Sequence, residues 1–357
     1  CFNGADAVTW LQQNVSGFLT PDEAVELGQT LIERQLVTPL TNTQLVNDAN
    51  ALFIFTPLPN DPVVAVYPTP LWQPTEGKRP SMLDVNVEEL ARQITLIESD
   101  LYLRMTTNEV KSQAWAKDDA KQRAPFLHQI IAHFNRTSYI TASLLVTVAE
   151  LPARLTTLKK LIRLGECFLE LRNYDGAFAV YLGLNVASVS RLKKTWAGLS
   201  DKHVQAWQRL QAFCSHEHNY RVYRAALVEA QPPTLPFMTI YTQDLTHIED
   251  GNDDKLDNGM VNFEKMRMIA RVWRDIARFQ SARHSYCYQP VEELQKWFLD
   301  LPLLTDDDLY GMSLAVEPRS ATAGLQSPQL DSRSRSGSFS KKVFGSLKRA
   351  SSSSVQK

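Results

Sequence analysis

The sequence predicts a mostly α-helical chain: an all-helical bundle preceded by a small α+β unit. Three observations lead there. Apolar residues recur at helical spacing through most of the stretch from Ser81 to Arg319. A capped helix and a short β-rich run lie near the N-terminus. A segment crowded with prolines separates them from the bundle.

Residues 1–55 form the first unit. In TPDEAVELGQTLIERQLV, Thr20 is placed to cap a helix, Pro21 takes its first position, and Glu23 follows three residues after the cap. Ala24, Leu27, Leu31 and Ile32 share one stripe, and NALFIF then reads as a short buried strand. Residues 56–80, TPLPNDPVVAVYPTPLWQPTEGKRP, hold too many prolines for a helix and form a linker or strap, with room for one strand at Val63 to Tyr67.

Residues 81–319 form the bundle. In NVEELARQITLIESDLYL the positions Val87, Leu90, Ala91, Ile94, Ile97 and Leu101 follow the 3.6-residue period, with Asn86 and Glu89 as a capping pair. APFLHQIIAHFNRTSYITASLLVTVAEL, ARLTTLKKLIRLGECFLEL, DGAFAVYLGL, DKHVQAWQRLQAFC, NYRVYRAALVEA and FEKMRMIARVWRDIARFQ continue the helical pattern. Residues 320–357 are rich in Ser, Lys and Arg and are expected to be disordered, because they bury too little apolar surface to offset ordering. This basic strip is either a solvated linker or attracted to anionic lipid headgroups, an attraction that phosphorylation of the serines around KRASSSS reverses.

Composition removes several function classes. Lys+Arg 38 against Asp+Glu 39 gives a formal charge of -1, so no global field argues for nucleic acid. Cys1, Cys167, Cys214 and Cys287 lack a C-x-x-C pairing, which suits reduced thiols in the cytoplasm. The longest apolar run, near Ala142 to Ala149, is too short to span a bilayer. An opening at Cys1 without methionine predicts a fragment. EGKRPS lacks the spacing of a phosphate-binding loop, and neither a G-x-S-x-G elbow nor an H-E-x-x-H motif occurs, so no cofactor or metal is expected. His216 and His218 could face one metal, a hydrolase rival, but a third ligand is missing and a turn between helices is the plainer reading.

One stretch resists the bland reading. IYTQDLTHIEDGND, residues 240–253, carries an apolar stem into a run of carboxylates with no partner in view.

The resemblance enters here. DVNVEELARQITLIESDLYLRM, NYDGAFAVYLGLNVASVSRLKKTW, NYRVYRAAL, PPTLPFMTIYTQDLTHIEDGN, MVNFEKMRMIA and SLAVEPR closely resemble, in order, blocks of the catalytic domain of Ras-family guanine-nucleotide exchange factors. The likeness runs from about Met82 to Arg319. CFNGADAVTWL, EAVELGQTLIERQLV and NALFIF look like a winged-helix-like DEP domain, truncated at its N-terminus.

The resemblance implies a non-covalent exchange factor, not an enzyme that makes or breaks bonds. Its partner would be a Ras-like small GTPase of Ras or Rap type, bound preferentially nucleotide-free. Phe237 to Asn252 would be the first arm of a helical hairpin pushed in beside the nucleotide, and MVNFEKMRMIA would begin the second. By the same likeness, Thr246, Glu249, Asp250 and Asn252 stand at the wedge, with Glu249 free to bond within the hairpin and Asn252 equally a helix stop. The resemblance further implies that Trp115, Ile131, Phe178, Tyr220 and Phe237 would form the pocket for the partner's second switch, with Asn185 on its rim. Periodicity alone assigns these apolar residues to the core.

Some positions depart from the family pattern. Tyr139-Ile140 stand where a Trp is usual, Pro152 precedes Arg154 where a basic residue is common, Thr242 replaces a Leu in the stem, and Asp250 is one methylene shorter than the usual Glu. Between Phe55 and Ser81 there is no room for the additional exchange-motif domain of many such factors, so that domain is absent or lies upstream of the fragment, and support for the hairpin falls to the strap or the DEP unit, or the hairpin is mobile and basal activity low. The DEP unit implies recruitment of a cytoplasmic chain to the membrane, through lipid or a receptor. A GTPase-binding scaffold of the same fold, without exchange activity, is the alternative.

Overall fold

The structure, a computed structural model, describes residues 2–14, 20–34, 37–39, 52–55, 68–75, 77, 79–280 and 286–319. The expected strand at 63–67 and the expected disorder at 320–357 lie outside these. The chain divides into two compact units, one running to Pro68 and one beginning at Thr69.

The first unit orders β1 (Phe2–Asn3), α1 (Gly4–Asn14), α2 (Pro21–Glu33), β2 (Val37–Pro39) and β3 (Leu52–Phe55). β3 is the central strand of an antiparallel sheet, pairing Phe53 with Phe2 and Phe55 with Val37. Thr20 and Glu23 close a full capping box at the start of α2, satisfying two backbone donors that the first turn leaves open. Leu31 and Ile32 pack on Val37.

The regular elements among the second unit's described residues are helices. The unit runs through α3 (Val87–Arg104), two 3-10 turns (Thr107–Val110 and Ala114–Ala116), α4 (Ala120–Arg123), α5 (Pro125–Val146), α6 (Leu151–Glu170), α7 (Tyr174–Asn185), α8 (Ala187–Ser190) and α9 (Lys193–Ala197). It continues through α10 (Asp201–Cys214), α11 (Glu217–Glu229), α12 (Met238–Gly251), α13 (Phe263–Arg278), α14 (Glu292–Leu299) and α15 (Asp306–Val316).

α5 and α7 are the axis of the bundle. Gly183 lets them meet, because a Cβ there would stand 2.4 Å from the carbonyl oxygen of Ser138. α3 and α6 complete the central layer, where Leu90, Ile94, Leu127, Phe134, Leu158 and Phe168 are buried. Asn86 caps α3 as expected, accepting from Glu89 N at 3.0 Å. The Glu89 side chain does not return the bond: its carboxylate is buried and accepts from Leu71 N at 2.8 Å and Gln93 Nε2 at 2.7 Å. A tertiary amide outcompetes the local cap.

Arg154 is the largest fully buried side chain among the described residues. Its guanidinium donates to Thr195 Oγ1 at 2.9 Å and to the carbonyls of Val148 and Ala149 at 2.8 and 2.6 Å, with Glu317 Oε1 at 3.6 Å. Glu317 also accepts from the amides of Lys194 and Thr195, so the end of the described chain is locked onto α6 and α9. Burial pushes the Glu317 carboxyl up, but the Thr195 hydroxyl, these amides and Arg154 outweigh it and hold it below the usual range.

α11 corrects one expectation. His218, Asn219 and Tyr220 have φ of 49°, 56° and 58°, so NYRVYRAAL opens in a left-handed turn and the regular helix begins at Arg221.

Candidate functional site

α12 and α13 form an antiparallel hairpin whose connecting loop is pinched by a bridge between Lys255 and Val261. Gly259 turns that loop at φ +79°, a conformation that favours glycine. Asn262 caps α13 by accepting from Lys265 N at 3.2 Å.

The stem is pinned at several points. Arg224 of α11 makes a two-pronged ion pair with Asp244 of α12, at 2.8 and 2.7 Å. That carboxylate holds the guanidinium above its ordinary pKa. Tyr223 Oη accepts from Phe237 N at 3.0 Å. At the far end of α13, Tyr102 Oη donates to Ile276 O at 2.8 Å, and Gln280 Nε2 donates to the carbonyls of Tyr102 and Met105 at 2.9 and 2.7 Å.

Between α7, the α10–α11 corner and α12 lies a groove of about 400 Å³. Its floor is aromatic. Phe178 and Phe237 are 2% and 3% exposed, and Tyr220 meets Phe178 edge-on at 6.0 Å. Asn185 stands exposed on the rim. Along the wall, α12 presents Thr239, Thr242, Thr246 and Asp250 at intervals of three or four residues, which is one helical face. Thr242 Oγ1 donates to Thr239 O at 2.9 Å and Thr246 Oγ1 to Thr242 O at 2.8 Å, so each hydroxyl is satisfied by its own helix.

A second hollow of about 950 Å³ lies on the other side of the hairpin, against residues 111–117, and Asp250 lines both. Here Lys265, buried, meets Glu249 Oε2 at 3.0 Å and Asp254 Oδ1 at 2.7 Å. Burial pulls this ammonium pKa down, but the two carboxylates outweigh it and raise it above normal. Asp250 Oδ1 accepts from Gln113 Nε2 at 2.9 Å. Asn252 ends α12, its Nδ2 donating to Ile248 O at 3.0 Å.

The structure therefore gathers Phe178, Asn185, Tyr220, Phe237, Thr246 and Asp250 around one groove, whereas Glu249 and Asn252 bond inside the hairpin. Trp115 and Ile131 do not line it: Trp115 is buried in the 3-10 turn, and Ile131 is half-buried on α5 against the core. Gln113, Arg224, Asp244 and Lys265 escaped the sequence reading, since no local pattern announces a bond formed between separate elements. His216 lines the groove, but among the described residues no group of three His, Cys, Asp or Glu side chains is placed to hold a metal. Nor is any described helix long and apolar enough to cross a membrane.

Comparison with known proteins follows the same division of the chain. Residues 89–267 match the RasGEF domain, and residues 1–55 match the domain found in Dishevelled, Egl-10 and Pleckstrin, DEP. Ras guanine nucleotide exchange factor P of Dictyostelium discoideum is 34% identical over 266 residues, 74% of this chain and 18% of that protein. Exchange factor Q of the same organism is 35% identical over 246 residues, 68% of this chain and 19% of its own length. Ras-specific guanine nucleotide-releasing factor 2 of Mus musculus is 34% identical over 232 residues, 65% of this chain and 19% of that protein. The chain thus spans about a fifth of these relatives. With half its length matching the domain that bears the hairpin and the groove, this chain belongs to the RasGEF family and carries a DEP domain before it.

Proposed function

We propose that the chain accelerates GDP release from a Ras-like small GTPase, of Ras or Rap type, by setting the α12–α13 hairpin beside the nucleotide site. One observation carries the reading: an aromatic-floored groove continues without a break onto the α12 face that ends in Asp250. Met260, Val261 and Phe263 are exposed around the hairpin loop, and apolar side chains left in solvent mark a surface whose partner is absent.

The groove takes an apolar anchor from the partner while Asp250 and Thr246 face its phosphate and Mg²⁺ region. A protein that prefers the open, nucleotide-free conformer weakens nucleotide binding by the same factor, by linkage. No bond is made or broken. A carboxylate 4 Å from a phosphate charge, at an effective dielectric of about 20, repels it by about 4 kcal/mol. Complete release of a tightly held nucleotide asks for more, so displacement of the switch loops by the anchored hairpin supplies the rest. The DEP unit brings this otherwise cytoplasmic chain to the membrane through lipid or a receptor.

The test is release of fluorescent GDP from a panel of Ras and Rap proteins by the full chain. Acceleration with at least one member supports the reading. Tight association without acceleration leaves a GTPase-binding scaffold instead.

A further inference from the structure

Ser112 and Gln113 both occupy the left-handed backbone region, with φ of 50° and 53°. Their turn is closed by the bond from Ala114 N to Lys111 O at 2.9 Å. Two positive φ angles at the centre of a four-residue turn favour Gly, which has no Cβ to crowd the neighbouring carbonyl, or Asn and Asp, whose short polar side chains bond locally to the backbone. Ser and Gln are neither. Strained backbone of this kind persists only where the surroundings over-determine it, and it gathers at working sites.

What the turn delivers is visible at the Gln113 side chain. Its amide reaches across 137 residues of sequence to donate to Asp250 Oδ1. The neighbouring acids of the hairpin, Glu249 and Asp254, are held by Lys265 from the hairpin itself. Asp250 is held from the body of the domain.

We propose that Gln113 is a positioning residue for Asp250: it fixes the carboxylate at the mouth of the groove, so that the hairpin meets its partner with that charge already aimed. The inference rests on the exchange reading above and adds to it a residue outside the hairpin. A purely architectural turn would serve only to seat Trp115, buried two residues later. The two roles separate cleanly, because seating Trp115 needs the backbone alone, whereas aiming Asp250 needs the full length of a glutamine.

Gln113→Asn exploits this difference. Asparagine tolerates left-handed backbone better than glutamine, yet its amide is one methylene too short for Asp250. In the full chain, Gln113→Asn is expected to lower the maximal rate of GDP release about tenfold, the scale of one charge-assisted hydrogen bond, with the half-saturating GTPase concentration unchanged. In an Asp250→Ala background the same change is expected to do nothing further, since the two residues act as one unit. Amide hydrogen exchange over residues 249–254, measured without GTPase, is expected to quicken in Gln113→Asn. A wild-type maximal rate in Gln113→Asn, or losses that multiply in the double variant, overturns the proposal. Should the wild-type chain release no nucleotide from any GTPase, the exchange reading fails by itself; unchanged hydrogen exchange at 249–254 in Gln113→Asn then defeats the tether as well.

Discussion

Phe178 of α7 and Phe237, the residue that opens α12, stack with ring centroids 4.2 Å apart and planes inclined by 15°. The floor of the groove and the root of the hairpin are thus one aromatic contact. Anything that displaces Phe237 disturbs both the surface offered to a partner and the direction in which α12 leaves the bundle.

Phe237 and Tyr220 should therefore fail differently. Phe237→Ala empties a buried site and is expected to cost about 3 kcal/mol of stability as well as GTPase affinity. Tyr220 is only half-buried, so Tyr220→Ala is expected to weaken binding by about 2 kcal/mol, near thirtyfold, with a much smaller loss in denaturant midpoint. Titration of nucleotide-free GTPase alongside urea unfolding separates the two; equal stability losses would refute the distinction.

Asp250→Ala should leave most of the binding surface intact while slowing GDP release at least about tenfold, given the repulsion a carboxylate exerts on nearby phosphate. Stopped-flow release at saturating GTPase measures it directly. A variant as fast as wild type removes Asp250 from the mechanism.

Asp175 makes stability depend on pH. Burial, and after it the nearby Glu98 carboxylate, raises this carboxyl well above its ordinary value, while the Met238 amide acts in the opposite direction. A raised folded-state value means that no penalty exists below the ordinary aspartate range, and that stability is lost as pH climbs from about 4 towards the raised value. Asp175→Asn removes the titration. The variant is expected to match wild type near pH 4 and to exceed it increasingly with rising pH, by at most about 1.4 kcal/mol per unit. Parallel stability curves in chemical denaturation would rule this out.

The hairpin is held by Tyr102, Gln113, Tyr223, Arg224 and Gln280, all within the second unit. A chain shortened to begin at Thr69, which keeps the bond from Leu71 N to Glu89, is expected to release GDP from a soluble GTPase as fast as the full chain. A clear loss of rate would assign support of the hairpin to the DEP unit.

Much of this architecture was legible in the residues. The period of DKHVQAWQRLQAFC gives α10 from Asp201 to Cys214, and that of FEKMRMIARVWRDIARFQ gives α13 from Phe263 to Arg278. Caps and stripes act within a few residues, which is why a single sequence carries them. The groove was not legible in that way, since periodicity sends Phe178 and Phe237 to the core, where indeed they lie; only the resemblance marked them as a surface. Links that depend on distant segments left no local trace. The carboxylate of Glu89 is the clearest example, for its spacing spells a capping box while its bond goes to Leu71. The turn expected at His216 and His218 runs on, left-handed, through Asn219 and Tyr220, a continuation that NYRVYRAAL hides among ordinary helical residues.

The internal bonding of the Thr242 and Thr246 hydroxyls has a mechanical meaning. Alcohols that answer to carbonyls of the same coil keep both hydroxyl donors satisfied whether this face of α12 borders water or another surface.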